Sequence, residues 1–329
     1  MRIALVTGGA GFIGSHLVER LLRDNWRVRV LDNFSTGTHA NLEWARGEVE
    51  LWEGDVRDAA LCARAAVGAE SVFHLAAIAS VPSSVADPMT SHEVTLGGTL
   101  NVLMAARDGG ARRVVFSSSA SIYGDADQSP TPESAPLRPQ SPYASAKAAS
   151  ELYCRNFHEL YGLETVVLRY FNVFGPRQGL HSGYAAAIPK FIHAAVTGGT
   201  PIVYGDGLQT RDFVYVGNVA EANLRAAEAE GVAGMAFNIA GGGSVTILQV
   251  LAELGSLAGR PLAIEHRPGR AGEVRHSEAD ISLARRCLGF TPGLSLREGL
   301  ALTLKAAQGE KEPAQEPAPV RPVITLAAA

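Results

Sequence analysis

Tyr143 and Lys147 stand four residues apart in Pro142-Tyr143-Ala144-Ser145-Ala146-Lys147. On a helix, positions i and i+4 share a face, so this spacing sets a phenol beside an ammonium. An ordinary tyrosine, with a pKa of about 10, is a poor base at neutral pH. A positive charge next to it favours phenolate, and the pair becomes a candidate for taking a proton from a hydroxyl. The plainer reading is a surface i,i+4 pair, and two features weigh against it. The 29 Lys and Arg include only four lysines, Lys147, Lys190, Lys305 and Lys311, and Lys147 is the first of them. The pair also follows a run of hydroxyls, Ser117-Ser118-Ser119-Ala120-Ser121, at the end of an apolar stretch. Hydroxyls at the carboxyl end of a parallel strand lie where open α/β sheets bind ligands. One of these serines can hydrogen-bond a substrate hydroxyl and share its proton with Tyr143, or simply cap a turn.

A second cluster suits phosphate. Gly8, Gly11 and Gly14 give a GxxGxxG spacing where an apolar run ends and an amphipathic stretch begins. Such glycines allow a tight turn, close approach of backbone N–H groups to a pyrophosphate, and tight packing of helix on strand. The helix N-terminus adds partial positive charge. Asp32 closes the next apolar run, about 20 residues on, where a carboxylate accepts hydrogen bonds from a ribose diol. It would repel a 2′-phosphate, so the arrangement points to NAD rather than NADP. The nine histidines and the three cysteines, Cys62, Cys154 and Cys287, show no metal-ligand spacing. No metal is expected.

These groups must be positioned by alternating strands and helices. Apolar runs at Arg2–Thr7, Arg27–Leu31, Val49–Glu53, Ser71–Leu75, Val114–Ser118 and Thr165–Arg169 read as buried parallel strands. Helical patterns lie between them, such as Phe12–Asp24 and Thr95–Arg107. The turn-rich stretch Gly124–Pro142 precedes a helix from about Pro142 to Leu160, with Ser141 as N-cap and Pro142 in the first turn. Later come strand candidates Ile202–Tyr204 and Phe213–Val216, helices near Val219–Ala229 and Ile247–Ala258, and Ala236–Ala240, which can return to the large sheet. The expected class is α/β: a Rossmann-type doubly wound parallel sheet with a smaller α+β substrate-binding domain. Residues 1–170, with a returning segment near 212–244, form the NAD-binding part, 171–308 mainly the second domain, and 309–329 a Pro-rich tail.

Composition agrees with a folded enzyme. Hydrophobic residues make up 47% and charged residues 19% of 329, which excludes a largely disordered chain. A net charge of −4 advertises neither nucleic acid nor an anionic membrane. The odd, scattered cysteines and the lack of a membrane-length apolar run lead to the expectation of a cytoplasmic protein.

Over about residues 1–305 the chain resembles the nucleotide-sugar epimerase/dehydratase family of extended short-chain dehydrogenase/reductases. The resemblance is carried by Thr7-Gly8-Gly9-Ala10-Gly11-Phe12-Ile13-Gly14, Asp32-Asn33-Phe34-Ser35-Thr36-Gly37, Gly54-Asp55-Val56, His74-Leu75-Ala76-Ala77, Ser119, Tyr143 with Lys147, and Arg169-Tyr170-Phe171-Asn172. It implies a catalytic triad of Ser119, Tyr143 and Lys147, with Lys147 also on the nicotinamide ribose. It implies NAD held by the glycine loop with Phe12 and Ile13, by Asp32, Asn33, Ser35, Thr36 and Gly37, and by Leu75, Ala76, Ala77 and Tyr170. Asp55 and Val56 are implied at the adenine ring. One position departs from the family pattern: its Asn-Val-x-Gly-Thr helix reads Thr95-Leu96-Gly97-Gly98-Thr99 here.

The same resemblance implies a nucleotide-sugar site. Ser121 would help hold the sugar, Arg211 and Arg270 the diphosphate, and Glu273 the uridine ribose, with Tyr204 stacked on the base. Asn172, just after the sixth strand, is suited to a phosphate or sugar hydroxyl, and Ala187 lies near the same pocket. Ser277 falls where the family places a wall of the sugar pocket, and its small size implies room for a 2-acetamido group. Family members that eliminate water carry a carboxylic acid directly after the serine or threonine; here Ala120 and Ser121 stand there. Without that proton donor the reaction left is inversion at C4 of a UDP-hexose, through a transient 4-keto sugar with NAD reduced and reoxidised in place. UDP-glucuronate is an alternative substrate, and a catalytically silent NAD-binding regulator an alternative function. The family also implies a homodimer paired through helices that include the Tyr143 helix.

Overall fold

A computed structural model of the chain describes residues 2–179, 187–269 and 274–309; the 310–329 part of the proposed tail lies outside them. Six apolar runs form parallel strands: β1 (Ile3–Thr7), β2 (Arg27–Asp32), β3 (Val49–Glu53), β4 (Ser71–His74), β5 (Arg113–Ser119) and β6 (Glu164–Tyr170). Ala236–Ile239 pairs in parallel with β6, placing Ala236 opposite Val167 and Ile239 opposite Tyr170. The sheet order is Ala236–Ile239, β6, β5, β4, β1, β2, β3. The order reverses between β1 and β4, and such a switch point opens a crevice at the carboxyl ends of the strands.

Near-continuous apolar strands need cover on both faces. On one face, Leu17, Val18 and Leu21 of helix Phe12–Arg23 share a core with Val219 and Ala222 of helix Val216–Glu228 and with Val6, Val30, Phe73 and Phe237 of the sheet. On the other, Cys62, Ala65, Val102, Leu103, Ala106, Cys154 and Phe157 pack against Leu5, Leu31, Val72 and Phe116. Each fully buried Leu or Phe stabilises the fold by roughly 1.5–3 kcal/mol. A third core, around Phe174, Phe191, Val203, Tyr215, Leu251, Leu254 and Leu300, holds the later helices together.

Two of the differences from the sequence expectation bear on the site. The helix assigned from Thr95 starts earlier, at Pro88, where Asp87 accepts from Thr90 N. It then widens into a π-turn at Glu93–Gly97 before continuing as Gly98–Asp108. Pro82 and Pro88 act as first-turn residues rather than as breaks. The Phe213–Val216 strand shrinks to Val214–Tyr215, because Val216 already begins the next helix. Among the described residues no helix is long and apolar enough to cross a membrane.

Candidate active site

The glycine loop joins β1 to the Phe12–Arg23 helix. Gly8 has φ +71°, and a Cβ there would stand 2.8 Å from Ala76 N, so the loop lies directly against the chain leaving β4. A Cβ on Gly14 would be 2.1 Å from the Gly8 carbonyl, a space that glycine alone leaves open. No side chain caps the helix at Gly11, and uncapped first-turn N–H groups form an anion seat. Asp32 is 8% exposed, and its two oxygens accept from Ala10 N and Phe34 N, each at 2.8 Å. The carboxylate thus clamps the loop, with lone pairs still available on both oxygens. Asn33 accepts from Ser35 N and donates to Asp55. Ser35 and Thr36 are exposed, and buried Gly37 abuts Ala10. Hydrogen bonding from Arg57, foremost, pushes the Asp55 carboxyl down to about 2. The Val56 side chain is buried in the core, and its carbonyl accepts from Asn101 and Cys62. Leu75, Ala76 and Ala77 continue from β4; Leu75 N and Ala76 N donate to the Thr7 carbonyl and hydroxyl.

Ser141 Oγ accepts from Ala144 N at 3.1 Å and starts the helix Pro142–Tyr161, which carries Tyr143 and Lys147 into the interior. Lys147 is 3% exposed. Its Nζ donates to Ser117 O at 2.6 Å and lies 4.7 Å from the centre of the Phe116 ring. Burial pushes this ammonium down to about 8, opposed by Cys154 and Glu151. Tyr143 is 9% exposed; burial raises its phenol and a hydrogen bond with Ser119 acts the other way. Burial thus opposes the positive charge that the sequence reading set beside the phenol, and the Lys147 ammonium donates to the Ser117 carbonyl. Ser119 both caps and faces the site: its Oγ accepts from Ser121 N at 3.2 Å, which leaves its O–H to donate.

Ser119, Ser121, Tyr143, Tyr170, Asn172, Arg211 and Ser277 line one cavity of about 560 Å³, with Ile13 among the lining residues. The Ser121 hydroxyl is buried with no hydrogen-bond partner. Tyr170 OH is fastened to Ser117 and Asn223, so the ring and not the hydroxyl is available to a ligand. Asn172 donates to Asp212 O at 3.1 Å. Arg211 and Ser277 are register partners on parallel strands, although far apart in sequence. Phe12 packs against the third core. Ala187 and Tyr204 are not among the lining residues: Ala187 opens helix Ala187–Thr197, and Tyr204 sits opposite Arg267 in a short strand pair. Arg270 and Glu273 lie outside the described residues. No group of three or more His, Cys, Asp or Glu that could hold a metal occurs among the described residues.

A sequence model described as the NAD dependent epimerase/dehydratase family matches residues 4–240. UDP-glucose 4-epimerase of Mycolicibacterium smegmatis is 40% identical over 92% of this chain and 97% of its own. The chain belongs to the NAD-dependent epimerase/dehydratase family. Two solved family members extend the likeness. A UDP-N-acetylglucosamine 4-epimerase from Methanobrevibacter ruminantium, in complex with UDP-N-acetylmuramic acid, is 40% identical with a TM-score of 0.90, covering 94% of this chain and 99% of that one. A Thermus thermophilus UDP-glucose 4-epimerase in complex with NAD is 37% identical with a TM-score of 0.84, covering 93% and 99%.

The cofactor of this family member is NAD. Its own residues fit that molecule: an uncapped helix N-terminus, a glycine loop with no room for side chains, and the Asp32 carboxylate at the end of β2. Sequence reasoning missed the buried polar groups behind the triad. His74 bonds Thr7 on one ring nitrogen and Thr99 on the other, and burial pushes it down to about 3, so it is a neutral strut. Thr95, the departure from the family pattern, accepts on its carbonyl from Ser150 and Thr99, while its own hydroxyl is buried without a partner. The backbone of the π-turn thus braces the Tyr143 helix. Glu151 and Arg169 form a buried ion pair at 2.7 Å. Their signal was present: Glu151 repeats the i+4 step from Lys147, and Arg169 interrupts an apolar strand.

Proposed function

We propose that this chain interconverts UDP-hexoses by inverting C4, with Ser119, Tyr143 and Lys147 as its catalytic residues. One observation carries the reading: among its described lining residues the cavity holds no Asp or Glu. Elimination of water needs an acid and a base beyond the tyrosine, and neither Ala120 nor Ser121 supplies one. Tyr123 and Tyr170 are tied to Arg169 and Asn223, which leaves Tyr143 as the proton carrier. NAD, when bound, supplies the hydride acceptor and donor for C4. Tyr143 Oη takes the proton of the 4-hydroxyl and returns it after the keto-sugar has turned its other face, which is what inverts C4. Ser119 donates its O–H to the sugar oxygen and holds the 4-keto group in line with Tyr143. The Lys147 charge favours phenolate and is suited to a ribose hydroxyl of the cofactor. Asp32 accepts from the adenosine ribose, while Asn33, Ser35, Thr36, Asp55, Val56 and Leu75–Ala77 complete the cofactor walls.

On the substrate side, Arg211 and Asn172 hold the diphosphate, with Arg270 and Glu273 assigned to it and to the uridine. Planar guanidinium forks match phosphate oxygens. The basic side chains among the described lining residues are Arg211 and His276. A uronate carboxylate would compete with the diphosphate for Arg211, which favours neutral hexoses over UDP-glucuronate. Ser277, on the cavity wall, is small, and the likeness to a UDP-N-acetylglucosamine 4-epimerase supports acceptance of N-acetyl forms. Purified protein incubated with UDP-glucose, UDP-N-acetylglucosamine and UDP-glucuronate should give the C4 epimers of the first two. No turnover of any nucleotide sugar would remove the reading in favour of an NAD-binding regulator.

Two wider readings accompany this one. All three cysteines are free thiols, which supports a reducing, cytoplasmic setting. Exposed Met104, Leu152, Tyr153 and Leu160 on two adjacent helices support a homodimer through them.

A further inference from the structure

We propose that Glu151, paired with Arg169, is a positioning residue for the reaction: it clamps both flanks of Ser119 to the Tyr143 helix and supplies the negative charge that faces the buried Lys147. The inference rests on the roles assigned above to Ser119, Tyr143 and Lys147. Glu151 lies four residues after Lys147 and eight after Tyr143, on the same stripe of the helix, and is 7% exposed. Its Oε1 accepts from Ser118 Oγ at 2.5 Å, the residue immediately before Ser119. Arg169 stands opposite Ser118 in the β5–β6 register and donates to Glu151 Oε2 at 2.7 Å. The other arm of Arg169 donates to Tyr123 OH at 2.8 Å, in the turn that follows Ser119. Tyr123 in turn donates to Asn238 on the returning strand. One ion pair therefore fixes the chain on both sides of Ser119.

The electrostatics are as specific. Lys147 faces the Ser117 carbonyl and Phe116 ring on β5, neutral His74 on β4, and Cys154 and Glu151 on its own helix. Burial drives the Cys154 thiol up and keeps it neutral. Glu151 is the carboxylate that acts on Lys147, and it acts upward, against burial. Beyond it lie Arg169 and Tyr123, with Glu133 and Asp280 further out. A buried ion pair is commonly no more stable than an apolar pair of similar volume, so stability alone does not account for these two residues.

The test uses the NAD-loaded enzyme. Glu151→Gln keeps an acceptor for Ser118 and removes the charge, leaving Arg169 unpaired. Expected are a kcat lower by roughly ten- to a hundredfold, KM for the UDP-sugar within about twofold of the wild-type value, and the alkaline limit of kcat moved down by about one pH unit. The sign follows from losing a negative charge beside an ammonium, which then deprotonates at lower pH. Adding Arg169→Gln should move that limit back up, and Glu151→Asp should keep it while still losing rate. An unmoved limit overturns the charge assignment, and unchanged kcat overturns the clamp. If Glu151→Gln does not fold, the apolar pair Glu151→Met with Arg169→Met should fold and be slow; full activity of that pair overturns the proposal. Tyr143→Phe is run alongside. An active Tyr143→Phe enzyme condemns the underlying reading, whereas an inactive one with wild-type Glu151 variants condemns this inference alone.

Discussion

Tyr143 and Lys147 are both pushed toward their neutral forms by the interior that holds them. Burial raises the phenol and lowers the ammonium to about 8. A base that must become phenolate in such a place depends on every nearby positive charge. Tyr143→Phe should lower turnover by about 10²–10⁴-fold, yet leave the NAD content of the purified protein unchanged, since the role proposed for the hydroxyl is on the sugar proton and not on the phosphates. Cofactor absorbance and product analysis on one preparation check both halves. The Lys147 shift has a defined sign. A lysine lowered by burial loses its charge as pH rises through about 8, so kcat should fall on the alkaline side from there. Lys147→Arg, which stays charged, should push that fall to higher pH in a rate–pH profile. The placing of Tyr143 and Lys147 on one helix face was legible at this scale because their spacing is local. The raised phenol was not, because desolvation depends on which chains close over the ring.

At the scale of elements, the Pro142–Tyr161 helix presents one stripe to chemistry and another to the outside. Tyr143, Lys147 and Glu151 face the sheet, while Leu152 is 61% and Leu160 72% exposed. These exposed apolar side chains are the ground for the homodimer proposed above. Leu152→Glu should convert a dimer into monomers in sedimentation velocity, with the fold retained by circular dichroism. A wild-type chain that sediments as a monomer at micromolar concentration would remove the dimer. The strands of the large sheet were legible within a residue or two, because each is an apolar run between turn residues. The helix start at Pro88 was not, since proline in the first helical turn and proline as a breaker look alike until the Asp87 cap is seen. The π-turn at Glu93–Gly97 leaves no local trace, because it is set by packing against the Tyr143 helix rather than by propensity.

At the scale of the whole molecule, the cavity joins a serine turn and helix from the first half with Asn172, Arg211 and Ser277 from the second. Ser277 is brought in by two short parallel pairings that set it beside Arg211. If that wall sets substrate size, Ser277→Tyr should remove activity on UDP-N-acetylglucosamine, where overpacking costs about 1–3 kcal/mol, and spare UDP-glucose. The ratio of kcat/KM for the two substrates measures this, and an equal loss on both would discard the assignment. The sequence by itself determined the class of the protein and displayed the residues proposed for its chemistry: glycine turn, Asp32, and Tyr143 with Lys147. Those depend on contacts within a few residues and on alternating apolar runs, which the chain order displays directly. Only the tertiary structure decided that Asp32 clamps the loop through Ala10, that Glu151 and Arg169 bracket Ser119, and that Tyr204 stays off the cavity wall. Each of those outcomes depends on how segments distant in sequence are brought together, which follows from two cores packed on the faces of one sheet and a third that joins the later helices.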